Sequence, residues 1–161
     1  MVDPAEFRRC LGRFATGVTV VTTRSQDGGV LHAMTVNTLT SVSLNPPLVL
    51  FCASNQTRTL EIILESRVYA VNILSEEQKD LSDRFAGFGA DEEDRFGGID
   101  YTLALDSRCP IFPGCLGSLD CRLVDAYPGG DHQILVAEVV ALSSTEGRPL
   151  LFYSSTYPRL E

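Results

Sequence analysis

The sequence predicts a mainly β fold: a small antiparallel barrel with helices packed against its outside. Three observations carry that expectation. Short strand-like runs recur, at Val18 to Thr23, Leu48 to Ala53, Val68 to Ile73, Leu116 to Ala126 and His132 to Leu142. Turn signals separate them, Gln26-Asp27-Gly28-Gly29 and Tyr127-Pro128-Gly129-Gly130-Asp131 among them. Strict alternation of strand and helix is absent, so a doubly wound parallel sheet is not expected.

The elements follow in order. Asp3-Pro4-Ala5-Glu6 opens a helix, because Asp3 can cap it and Pro4 suits its first position. Phe7, Cys10, Leu11 and Phe14 then share one apolar face, and Gly17 is expected to end the helix. Pro46-Pro47 breaks the chain before the buried run Leu48 to Ala53. A helix is predicted from Arg58 to about Ser66, with Leu60, Ile63 and Leu64 inward. Ser75-Glu76-Glu77-Gln78 reads as a capping box for a helix carrying Leu81 and Phe85. Gly87 to Gly98, with Asp91, Glu92, Glu93 and Asp94, reads as a polar loop. From Leu116 onward Leu119, Cys121 and Leu123 alternate with Ser118, Asp120 and Arg122, so one face is apolar and one polar. Leu150 to Tyr153 is a last short strand.

Composition narrows the function classes. The chain has 161 residues, one ordinary domain over 1–161, and is 44% hydrophobic and 21% charged, as a globular protein is. A net charge of −8 argues against a nucleic-acid partner and against an anionic membrane. No run approaches the roughly 20 apolar residues of a membrane span, and the start carries no signal sequence, so a cytoplasmic protein is expected. The five cysteines show no C-x-x-C pair, and His32 and His132 are far apart, so no metal site is expected. Dinucleotide, phosphate-loop and nucleophile-elbow glycine motifs are missing; Gly87-Phe88-Gly89 lacks the third glycine.

The densest chemical signal lies between Val30 and Ser54. Thr35, Asn37, Thr38, Thr40, Ser41 and Ser43 place hydroxyls and an amide in one short row. Small polar side chains let a flat ligand approach the backbone, whose N–H and C=O groups pair with its edge. The same row also suits a partly exposed strand. Ser54-Asn55-Gln56-Thr57-Arg58-Thr59 combines a helix start, hydroxyls and a guanidinium, which suits a phosphate or a plain helix cap. His132 follows a Gly-Gly turn at a strand start, where it can point into a pocket or be a turn histidine.

Together these pieces resemble the short-chain flavin reductase family, the reductase partners of two-component flavin-dependent monooxygenases. The segments carrying the resemblance are Phe14 to Thr22, Met34 to Thr38, Ser41 to Val49, Val68 to Leu74, Leu81 to Ala86, Gly130-Asp131-His132 and Pro149 to Tyr153, in order. The resemblance implies an FMN-binding split β-barrel, Greek-key-like, that forms a homodimer with flavin near the interface. It implies that Thr35, Val36, Asn37, Thr38, Ser41 and Val42 line the isoalloxazine and ribityl chain. Cys52, Ala53, Ser54, Arg58 and Thr59 would hold the ribityl and phosphate, and Arg84 and Phe85 would complete the site. His132 would meet the nicotinamide, with Tyr153, Ser154, Ser155 and Thr156 nearby. Tyr153-Ser154-Ser155-Thr156-Tyr157 departs from the Arg-Gly or Gly-Gly common before the family's last tyrosine. The implied activity is hydride transfer from NADH or NADPH to FMN or FAD, with reduced flavin passing to an oxygenase. Such chemistry needs two rings held face to face without water, and no triad or metal. The acidic balance leans toward NADH. The rival readings are a barrel of the same kind that reduces something other than free flavin, and a non-catalytic flavin- or haem-binding carrier or sensor.

Overall fold

The computed structural model describes residues 2–87 and 95–160. Asp91, Glu92, Glu93 and Asp94, with Phe88 and Gly89, lie outside the described residues.

Helix α1 (Pro4–Leu11) begins as its sequence dictates. The Asp3 carboxylate accepts from the Ala5 and Glu6 N–H groups at 3.0 Å each. It ends at Leu11 and not near Gly17: the Gly12 N–H returns to the Arg8 carbonyl at 2.8 Å. Beyond it β1 (Thr16–Gly17) pairs with β11 (Leu151–Phe152), and that distant partner draws these residues into an extended chain. Among the described residues the expected apolar face stays largely open: Phe7, Leu11 and Phe14 are 58%, 52% and 73% exposed.

The main sheet has seven antiparallel strands in the order β3-β2-β6-β9-β10-β5-β4. They are β2 (Thr19–Arg24), β3 (Leu31–Val36), β4 (Thr40–Leu44), β5 (Pro47–Ser54), β6 (Val68–Ile73), β9 (Gly117–Gly129) and β10 (His132–Ser144). Three hairpins, β2–β3, β4–β5 and β9–β10, are joined by the long-range pairings β2–β6, β6–β9 and β5–β10. Near its two ends the sheet curls until β3 lies against β5 without pairing to it. The result is a barrel with an open seam, the split barrel the sequence implied.

Two apolar clusters fill it. Inside the barrel Phe51 meets Tyr69 edge-on at 5.2 Å, among Val21, Ile63 and Leu135, all fully buried. Beneath α3 (Lys79–Phe85) lie Val20, Leu74, Phe85 and Phe112. Helix α2 (Arg58–Ser66) packs through the face centred on Thr59 and Ile63, so Ile62 is buried and Leu64, expected inward, is 38% exposed. Before α3, the Ser75 N–H donates to Gln78 Oε1 at 3.0 Å, the backward half of the capping box expected there.

Two further expectations give way. Asp120, on the polar side of β9, is only 4% exposed. Its carboxylate accepts from the Asp106 N–H at 2.8 Å and the Ser107 N–H at 3.1 Å. The ribbon of β7 (Thr102–Leu103) and β8 (Pro110–Ile111) forms a second layer over that face, and the two amides offset the cost of burying the charge. The turn expected over Tyr127 to Asp131 shrinks to Gly130 and Asp131, and β9 runs through Gly129. Pro128 is tolerated because β6 pairs with β9 only as far as Arg122, which leaves the far half of the hairpin an edge. No helix among the described residues is long and apolar enough to cross a membrane.

Candidate functional site

The edge strand β3, the first turn of α2 and the end of α3 enclose a cleft of about 510 Å³. Its lining includes Thr35, Gln56, Thr57, Arg58, Phe85 and Arg95. Thr57 caps α2, its hydroxyl accepting from the Leu60 N–H at 3.4 Å. The first N–H groups of a helix lack partners inside it, and here they border the cleft. Arg58 reaches out and pairs with Glu61 at 2.5 Å, and that hydrogen bond raises its pKa above the ordinary value. Thr59 turns the other way. It is 4% exposed and its hydroxyl donates to the Ala33 carbonyl at 3.3 Å, fastening α2 to β3. The Thr35 hydroxyl donates to the Ser82 carbonyl at 2.7 Å and fastens β3 to α3. Phe85, 2% exposed, closes the cleft from below, its ring 5.5 Å from Phe112 and 5.2 Å from Phe96. Arg84, on the same turn of α3, donates to the Gly97 carbonyl at 2.7 Å.

A second cleft of about 610 Å³ opens where β3 leads into β4, lined by Phe14, Thr16, Gly17, Asn37, Thr38 and Thr40 among others. Thr38 stands in for a strand partner. Its hydroxyl accepts from the Cys52 N–H at 3.0 Å and donates to the Cys52 carbonyl at 3.3 Å.

The structure therefore sorts the residues named from the sequence. Thr35, Arg58, Thr59 and Phe85 share the first cleft, while Asn37 and Thr38 share the second. Val36 lies between them with its side chain in the core, 7% exposed. Ser41 and Val42 are exposed on β4. Cys52 and Ser54 are half-buried on the outward side of β5, whereas Ala53 alternates inward and is fully buried. His132 begins β10 opposite Ser54, with Nδ1 2.6 Å from Asp131 Oδ1. That hydrogen bond holds the Asp131 carboxyl below the usual carboxylate range. The tail lies elsewhere. Tyr153 and Thr156 bridge a tight turn in which Ser154 and Ser155 adopt φ of 47° and 62°. The turn is tied to α1 by a Ser154 N–H bond to the Gly12 carbonyl at 2.9 Å. Arg13 donates to the Tyr153 hydroxyl at 3.3 Å and lowers its pKa. No hydrogen bond joins this tail to His132 among the described residues.

Gln56, His32 and Arg95 line the first cleft without having been singled out as ligand residues. Gln56 lay inside the Ser54 to Thr59 segment, and His32 sits three residues before Thr35, so both were within reach. Arg95 carried no local signal; it stands next to Phe96, whose ring packs on Phe85.

The donor set fits a phosphoryl group attached to a flat polar ring. Arg58 and Arg95 bring two guanidiniums to the cleft beside the N-terminal turn of α2, groups of the kind that receive a phosphate. Thr35, Asn37 and Thr38 set small polar groups along the strand that leads from this end to the second cleft.

Fold and site define a split-barrel protein with an arginine-lined cleft beside an open seam. Residues 11–161 match the Flavin reductase like domain family. The reductase subunit HsaB of a flavin-dependent monooxygenase from Rhodococcus jostii (strain RHA1) is 42% identical over 161 residues, 99% of this chain and 80% of that one. An NADH-dependent flavin reductase from Rhodococcus sp is 40% identical, over 99% of this chain and 88% of its own. The NADH:FAD oxidoreductase SgcE6 of Streptomyces globisporus C-1027, solved with NAD and FAD fragments, superposes with a TM-score of 0.91 at 33% identity. That superposition covers 100% of this chain and 96% of the other. The chain belongs to the flavin reductase family, as its motifs implied.

Proposed function

We propose that this chain takes hydride from NADH onto a flavin lying along β3, with its phosphate in the cleft at Arg58 and its ring toward Thr38 and the seam. The observation that carries this reading is the cationic cleft beside Thr35, continuous in the strand with Asn37 and Thr38. Bound flavin would supply the hydride acceptor. The chain's own residues have simpler tasks: Arg58 and the start of α2 hold the anion, Thr35 keeps β3 on α3, and the seam excludes water from one ring face. The names of the relatives support NADH as reductant and an oxygenase as recipient of reduced flavin. They also favour an enzyme over a carrier or sensor. We take residues 1–161 as one domain working in the cytoplasm, in keeping with five free thiols. Mixing the protein with NADH and either FMN or FAD, and following the nicotinamide absorbance, tests the reading. No oxidation with either flavin would refute it.

His132 is proposed to position the nicotinamide and not to move a proton. Asp131 fixes its ring through Nδ1, which leaves Nε2 for a carboxamide. His132→Ala is expected to raise the NADH KM roughly tenfold with little change in flavin affinity, because what is lost is binding common to ground and transition states. An unchanged KM would remove the role.

A homodimer is also proposed. Leu44, Phe14 and Leu142 are 96%, 73% and 69% exposed, apolar surface that a second copy could bury. A second copy against the seam would cover it and bring the tail of one copy toward the flavin of the other. Light scattering is expected to give twice 17.6 kDa. A fully active monomer would end both the interface and the shared site.

A further inference from the structure

We propose that Tyr157 is a positioning residue for the reaction: it holds α3, which walls the first cleft, in register with β1, which walls the second. The inference rests on the flavin reading above, because only a ligand that fills both clefts at once feels their register.

Helix α3 has 7 residues, too few to hold its place by its own backbone hydrogen bonds. Tertiary ties hold it, and Ser82 is the central one. Ser82 is fully buried, and its carbonyl accepts from the Thr35 hydroxyl at 2.7 Å and from the Ala86 N–H at 3.0 Å. Thr35 and Ala86 both line the first cleft, so the place of Ser82 sets its strand wall and its helix wall together. The Ser82 hydroxyl lies 2.9 Å from the hydroxyl of Tyr157, in the chain's last residues. The Tyr157 hydroxyl is in turn 3.3 Å from Asp83 Oδ1. A carboxylate only accepts, which fixes the order: Ser82 donates to Tyr157, and Tyr157 donates to Asp83. Lys79 closes the group, pairing with Asp83 and standing 5.2 Å from the centre of the Tyr157 ring.

The same ring reaches the other cleft. It meets Phe152 edge-on at 5.5 Å, and Phe152 pairs with Thr16 across β11 and β1. Thr16 and Gly17 line the second cleft. Tyr157 therefore joins two supports, the helix of the first cleft through its hydroxyl and the strand pair of the second through its ring. Strand β3 and the residues after it run along both clefts, but they do not fix how far the opposite walls stand from each other. FMN, with its phosphate at Arg58 and its ring toward Thr38, has its two ends a set number of bonds apart and needs both walls in place. Riboflavin carries no phosphate and depends on the second cleft alone. Loss of the Tyr157 hydroxyl leaves each cleft intact and frees one to shift against the other, so the penalty falls on FMN.

The test measures dissociation constants of the intact protein for FMN and riboflavin by flavin fluorescence, with steady-state rates for NADH and FMN. The wild type is expected to bind FMN more tightly than riboflavin. Tyr157→Phe removes one oxygen and keeps the ring; it should weaken FMN about threefold to tenfold and leave riboflavin within about twofold of wild type. In the same variant the KM for FMN should rise while kcat stays as in wild type, because binding and not the hydride step is affected. Ser82→Ala keeps the carbonyl and loses the hydroxyl. It should give the same pattern, and Tyr157→Phe added to it should bring no further loss, since the two hydroxyls act as one unit. Wild-type affinity for FMN in Tyr157→Phe, equal weakening of FMN and riboflavin, or additive losses in the double variant would each overturn the proposal. A wild type that binds riboflavin as tightly as FMN would instead overturn the placement of the flavin across the two clefts.

Discussion

Truncating Phe85 to alanine is expected to remove about 3–5 kcal/mol of folding stability and to weaken flavin binding in the same variant. Phe85 is 2% exposed at the last turn of α3, so nearly its whole side chain would become a void. The rings around it cannot all collapse into that space. Phe112 is held from the β8 side and is itself 2% exposed, while Phe96 is already engaged with Tyr101. The upper side of the ring lines the cleft beside Thr35 and Arg58, so the same loss loosens the floor of the proposed phosphate site. Phe85→Leu keeps most of the volume and should cost less than about 1.5 kcal/mol. Urea unfolding with and without FMN separates the two effects. A Phe85→Ala variant within 1 kcal/mol of wild type, a threshold well under the usual cavity cost of about 3 kcal/mol, would mean that Phe85 is not the support described here.

How much of this was legible depended on how far apart the interacting residues lie in sequence. The start of α1 could be read because Asp3 caps N–H groups two and three residues away. The start of α2 could be read for the same reason, through Thr57 and Leu60. The end of α1 could not, because what straightens Thr16 and Gly17 is β11, more than a hundred residues on. Asp120 shows the limit of alternation as a guide. Its placement opposite Cys121 was right, but its burial depends on a ribbon of two-residue strands too short to leave a pattern. The site divides in the same way. Thr35, Asn37, Thr38 and Arg58 were legible because they cluster in two segments and match a family pattern. Arg95 was not, since Phe96 carries it to the cleft by packing on Phe85 and Phe112. Ala53 was placed in the right strand, but the period of two turns its methyl into the core.

Arg58→Ala should weaken FMN about tenfold to a hundredfold and leave riboflavin unchanged, since riboflavin lacks the phosphate. A charge-assisted hydrogen bond contributes roughly 1.5–3 kcal/mol, which converts to that range. The existing Arg58–Glu61 pair does not diminish the expectation. Both side chains are more than half exposed, at 61% and 57%, and exposed pairs of this kind contribute little, so the guanidinium can turn to an incoming phosphate at small cost. Glu61 is also the nearest source of repulsion, so Glu61→Gln should tighten FMN modestly. Thr59 separates a ligand role from a structural one. Its hydroxyl is already bonded to the Ala33 carbonyl and buried, so Thr59→Ala should lower stability and weaken both flavins alike. Arg58→Lys keeps the charge but loses the forked geometry, and intermediate affinity is expected for it. Titrations of FMN and riboflavin at two salt concentrations complete the comparison, because only the phosphate-dependent part should weaken with salt. If Arg58→Ala weakened both ligands to the same degree, Arg58 would be a surface partner of Glu61 and nothing more, and the phosphate would have to be held by Arg95 and the helix start alone.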